Sequence, residues 1–181
     1  LGLPGDAMQR RPLHMVMARG DLPALNGHRV DGAATRVTVT CTRDFQDRMV
    51  WQIGGQIAET GVGVEPRVLA DRARQELKIV LPHLKWDGLD WATYPVDRAE
   101  PRTGNGTRPD TAFATLEDHV ITAWPTKLAL VPHLSKTIIG LLSASSPPKG
   151  TPLPQDVLRH WPRPTVALPP WETPATWFTD H

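Results

Sequence analysis

Residues 35–44, TRVTVTCTRD, alternate with a period of two: Val37, Val39 and Cys41 face one way, and Arg36, Thr38, Thr40 and Thr42 face the other. A strand with one apolar and one hydroxyl-rich face belongs to a sheet covered on one side and half wet on the other, which points to antiparallel pairing. RMVWQIGGQIA (48–58) follows after the short polar DFQD, with Met49, Trp51, Ile53 and Ile57 on one face, so the two runs form a hairpin. RPLHMVMARG (11–20) is an earlier strand, with Leu13, Met15 and Met17 opposite His14 and Val16. The turn-rich DLPALNGHRVDG that comes next reads as a loop.

The period then changes. In VEPRVLADRARQELKIVLPHL, Leu69, Ala73, Leu77 and Val80 lie at helical spacing, with Pro66 suited to the first turn and Pro82 ending the pattern. This amphipathic helix should cover one sheet face. LDWATYPVDRAEP (89–101) returns to strand character, with Pro95 marking an edge or a bulge. DHVITAW is a short strand, and AWPTKLALVPHLSKTIIGLL an apolar helix entered through Trp124, Pro125, Thr126 and Lys127. From Ser143 the chain is dense in proline and tryptophan, which forbids regular ladders and leaves a segment that wraps the body or is loosely ordered. The fold class is α+β: an antiparallel sheet with helices packed on one face and a proline-rich C-terminal extension.

A chain of 181 residues buries one substantial core. Twenty basic against nineteen acidic side chains leave a net charge of +1, too little for a nucleic-acid footprint. The single Cys41 permits no internal disulfide and favours a reducing, cytoplasmic setting, and no apolar run reaches the length of a membrane span. Leu1 opens the chain without an initiator Met, as in a piece of a longer protein.

Seven histidines show no zinc-binding spacing, and the serines no Gly-x-Ser-x-Gly turn. GVGVEP and GNGTRP each carry Pro where a dinucleotide-binding turn has its third Gly, so both read as ordinary turns. Four features remain. His14 stands alone on its strand face and is more often a satisfied rim residue than a base. Gly54 and Gly55 inside a strand signal a bulge or a close approach by a ligand or a packed helix. Arg98, near Asp97 and Glu100, is either a surface ion pair or a fixed guanidinium for a substrate anion. The Trp124–Lys127 helix entrance, with its free N–H groups, favours an anionic or electron-rich partner.

QRRPLHMVMARGDLPALNGH, VWQIGGQIAETG, VDRAEP and ITAWPTKLALVP together resemble the C-terminal, substrate-domain half of the FAD-dependent oxidoreductases that include D-amino-acid oxidase, glycine oxidase and flavin-dependent glycerol-3-phosphate dehydrogenases. The resemblance implies a substrate (cap) domain over residues 1–122, a return helix toward an FAD domain over 123–142 and a wrapping tail over 143–181. It implies FAD bound mainly by a missing N-terminal half, and hydride transfer from a small amino acid, amine or hydroxy compound. It makes Arg98 the holder of the substrate anion, Gln56 and Trp51 pocket lining and His14 a proton acceptor. Trp124, Pro125, Thr126 and Lys127 would face the flavin. The fragment alone would be inactive. The rival reading is a non-enzymatic interaction module that docks a partner through its sheet and tail aromatics.

Overall fold

The computed structural model describes residues 7–124, 127–144, 156–173 and 176–179. They form two compact units, each assembled from separated stretches of chain: Pro12–Arg98 with Val166–His181, and Leu1–Arg11 with Ala99–Thr165.

The first unit holds most of a six-stranded sheet of order β2-β3-β4-β1-β5-β8, residues 8–11 of β1 and 99–101 of β5 being counted with the second. Its strands are β1 (Met8–Gly20), β2 (Gly27–Asp31), β3 (Ala34–Arg43), β4 (Met49–Gly54), β5 (Asp90–Pro101) and β8 (Phe178–Thr179). The β2–β3, β3–β4, β4–β1 and β5–β8 pairs are antiparallel. The α+β antiparallel architecture is as the alternation of β3 predicts. The loop expected over residues 21–32 instead contains β2, because Gly32-Ala33 makes a tight two-residue hairpin turn between Asp31 and Ala34, with Gly32 at φ 58°.

α2 (Pro66–Val80) starts where Pro66 indicates, with the Glu65 carboxylate accepting from the Val68 N–H at 3.0 Å. It lays Leu69, Ala70, Ala73 and Leu77 on Val16, Ala18, Val37, Val39, Trp51 and Ile53. β4 stops at Gly54, and the expected strand position Ile57 falls in the short α1 (Gln56–Thr60). Gly55, at φ 78°, permits that turn: a Cβ there would lie 2.8 Å from Thr35 O. The close approach read from the paired glycines is therefore by the backbone of β3. A Cβ on Gly54 would meet the Met15 side chain at 3.1 Å.

The opposite sheet face carries a smaller cluster, Met17, Val50 and Ala92, closed by Tyr94, Trp171 and Trp177. Part of the proline-rich tail thus lies on the body, and Phe178 and Thr179 extend the sheet beyond β5.

In the second unit β6 (Phe113–Glu117) and β7 (Val120–Trp124) form a hairpin, turned at Asp118 with φ 53°. α3 (Val131–Ala144) packs on this hairpin and buries Leu134. The helix expected to open at Pro125 begins at Val131. A single 3-10 turn, Leu128–Leu130, precedes it, and Trp124 still belongs to β7. The Arg11 guanidinium reaches the buried Glu100 carboxylate at 3.1 Å, tying the start of β1 to the end of β5. Among the described residues no helix is long and apolar enough to cross a membrane.

Candidate functional site

Register places Thr40 beside Gln52 and Gln52 beside Met17, so these three side chains share the sheet face opposite α2. Tyr94 reaches the same row: its hydroxyl donates to Gln52 Oε1 at 2.9 Å. Burial raises the Tyr94 pKa, which keeps the phenol protonated and a donor throughout the neutral range. Among the described residues no helix covers Thr40, Gln52 and Tyr94, so the face presents a polar pair on an apolar floor.

One end of that face is closed by the tail. The Arg19 guanidinium lies 3.9 Å from the Trp177 ring centroid and bonds the Asp90 carboxylate at 3.0 Å. Asp90 also accepts from the Thr179 hydroxyl at 2.7 Å, and the Glu172 carboxylate accepts from the Phe45 N–H at 2.6 Å. Asp44 sits beneath, bonded by the Arg48 and Gln46 N–H groups and the Arg48 side chain. Its burial would raise its pKa, yet these donors, led by the Arg48 N–H, hold it below the usual carboxylate range. Asp90 is lowered as well, first by the Thr179 hydroxyl and then by Arg19.

The residues singled out from sequence are not gathered in one pocket. Trp51 is fully buried beneath α2, edge-on to Trp86, and its indole N–H donates to Pro23 O at 2.8 Å. It has no surface to offer a ligand, because Trp51 shares the inward face of β4 with Ile53. His14 is wedged between Gly61 O at 3.1 Å and the Thr93 hydroxyl at 2.9 Å, so both ring nitrogens are engaged. Arg98 pairs with Glu59 of α1 at 3.3 Å. Gln56 is exposed and lines a cleft between α1 and α2 whose lining includes neither His14 nor Arg98. In the other unit Trp124 packs on Phe113, ring centroids 5.6 Å apart, and Lys127 lies 3.7 Å from Asp110. Pro125 and Thr126 fall outside the described residues.

Sequence reading missed Tyr94 and Gln52. The signal was present in the alternation of β4, where Gln52 is the one polar residue between Trp51 and Ile53 on the face away from the core. Tyr94 could not be oriented because Pro95 follows it. Among the described residues no three His, Cys, Asp or Glu side chains converge as a metal site.

No protein-family model matches the chain. It is 43% identical over 179 residues to a probable FAD-dependent oxidoreductase of Pseudomonas aeruginosa, PA4991, covering 95% of this chain and 44% of the relative. The crystal structure of that FAD-dependent oxidoreductase superimposes with a TM-score of 0.77 at 40% identity, over 93% of this chain and 46% of the other. The chain therefore spans just under half the length of the relative it matches. At this identity and coverage the two share ancestry and fold over the matched part: the chain is homologous to part of an FAD-dependent oxidoreductase.

Proposed function

We propose, starting from that homology, that this chain is the substrate-covering part of an FAD-dependent oxidoreductase acting on a small amino acid, amine or hydroxy compound. The observation that carries the reading is the sheet face with its Tyr94–Gln52 pair, which no helix covers among the described residues, in a chain 43% identical over nearly its whole length to a probable FAD-dependent oxidoreductase. FAD, when bound, supplies the hydride acceptor. Among the described residues the sheet is antiparallel with no strand, Gly-rich turn and helix for a dinucleotide phosphate, so these residues suit the cofactor's ring side only. Its phosphates belong to the length of the relatives that this chain does not span.

This division assigns residues 1–122 to a cap over the substrate, 123–142 to a return segment and 143–181 to a wrapping tail. Tyr94 takes the place of Trp51 as pocket lining. Its hydroxyl fixes the Gln52 carbonyl oxygen, which turns the Gln52 amide N–H groups toward a substrate oxygen. Such a donor, fixed by its neighbour, orients the substrate carbon at little entropic cost. Arg98 serves the substrate anion by exchanging Glu59 for it, whereas His14, held at both nitrogens, positions α1. Trp124 and Lys127 approach the flavin in this reading, and the Lys127 charge favours its reduced form.

The interaction-module alternative drew on the tail aromatics, but Trp171 and Trp177 pack on the chain's own sheet. The test is purification of the full-length gene product. The visible absorption of a bound flavin, bleached by an amino acid, amine or hydroxy acid, is expected; a protein that stays colourless with added FAD would overturn the proposal.

A further inference from the structure

Where β4 ends and α1 turns over it, a solvent-open cleft of about 260 Å³ lies between β3, α1 and α2. It is walled by α2, which covers the sheet face opposite Tyr94 and Gln52, so it is separate from the face assigned to substrate. Two glycines shape it. Gly55 lets α1 start against the β3 backbone, and Gly61 lets it end against Leu69, where a Cβ would lie 2.7 Å from Leu69 Cδ1. Ile57 thereby forms an apolar floor, with the buried Leu69 beneath it.

The charges above that floor are arranged unevenly. Arg36 was expected on the wet face of β3, but Thr38 is the last β3 residue toward this end to pair with β4, opposite Gly54. Past that end the Arg36 side chain is free to reach α2, where its Nε donates to Glu76. Its two Nη groups make no hydrogen bond among the described residues. Arg72 lies one helical turn before Glu76 and would ordinarily pair with it. Glu76 is committed to Arg36, and the acidic neighbour Asp71 pairs with Arg74 at 3.0 Å. Arg72 therefore lines the cleft with no ion pair among the described residues, and the three charged side chains sum to one positive charge.

We propose that this cleft binds a small monocarboxylate with a short apolar chain, its carboxylate held by Arg72 and the Nη groups of Arg36 and its chain laid on Ile57. The single net charge matches a monoanion, the floor requires carbon, and the volume falls just short of the roughly 300 Å³ at which pockets for larger ligands begin. Planar guanidinium groups suit a carboxylate geometrically.

The test uses the full-length protein labelled at isoleucine δ-methyl groups, with the Ile57 signal assigned through Ile57→Val. Butyrate should shift that signal saturably. Arg72→Ala, a change at an exposed position, should weaken the apparent affinity at least about tenfold, the loss of one charge-assisted hydrogen bond. Butylamine should leave the signal unmoved. Absence of a saturable shift, equal affinity in Arg72→Ala, a matching response to butylamine, or inorganic phosphate binding as tightly as butyrate would each overturn the assignment. Because Arg72→Ala leaves Arg98 and Glu59 intact, it separates binding in the cleft from a carboxylate held at Arg98, and no outcome depends on flavin content.

Discussion

The Tyr94 hydroxyl donates to Gln52 Oε1 at 2.9 Å, joining β5 to β4 across the intervening strand β1 on the sheet face that α2 does not cover. Removing the hydroxyl with Tyr94→Phe keeps the ring and leaves Gln52 free to turn. One net hydrogen bond is worth about 1 kcal/mol, so thermal unfolding should shift only slightly. If this pair orients substrate, the KM should rise severalfold while flavin content is unchanged. An unaltered KM would remove Tyr94 and Gln52 from the substrate site.

Acid should loosen the ionic network under the tail. Asp44 and Asp90 both have folded pKa values below their unfolded ones. Their stabilisation is therefore complete above the unfolded value, near 4, and is lost as pH falls through the lowered values. Denaturant unfolding from pH 7 to 2 should show the decline beginning below about pH 4 for these groups. Asp44→Asn should flatten that acid limb and cost about 2–4 kcal/mol at neutral pH, because Arg19 and Arg48 lose a buried counter-charge.

Two glycines share a positive φ but differ in what a side chain would meet. Gly55 (φ 78°) faces Thr35 O at 2.8 Å, whereas Gly63 (φ 77°) has open space where a Cβ would be. Gly63→Ala should cost about 1 kcal/mol through the left-handed conformation alone. Gly55→Ala should cost at least about 2 kcal/mol, since φ 78° with ψ −147° is a combination nearly restricted to glycine and α1 must also move off β3. Equal losses in chemical denaturation would show that neither the backbone of Gly55 nor its contact with β3 adds a cost.

Lys127 offers a test on the flavin side of the proposal. Lys127→Ala should lower the potential of the bound flavin by roughly 20 mV, the two-electron equivalent of about 1 kcal/mol for a half-exposed charge. Spectroelectrochemical titration of the holoprotein reads this directly. An unchanged potential would place Lys127 away from the cofactor.

The sheet's inner face was legible because β3 and α2 each bury one uninterrupted set of side chains: Val37, Val39 and Cys41, and Leu69, Ala73 and Leu77. What stayed hidden depends on partners distant in sequence. Arg36 obeys alternation only while β4 runs beside it. His14 is a satisfied rim residue because Gly61 and Thr93, 47 and 79 residues away, happen to meet it. β2 was obscured by its fully exposed residues, and β8 by having only two. The resemblance makes Trp51 pocket lining, and only the position of α2 shows that it faces inward.

β8 pairs Phe178 and Thr179 with Trp91 and Asp90, and so joins stretches nearly ninety residues apart. During synthesis β1 to β5 emerge well before this partner exists. The outer edge of β5 and the apolar patch of Met17, Val50 and Ala92 must then wait, uncovered, until Trp171 and Trp177 have been translated. Long-range closure of this kind is slow and exposes sticky surface meanwhile. A ribosome stalled before residue 171 would therefore hold a nascent chain whose sheet has its α2 side sealed and its other side still bare.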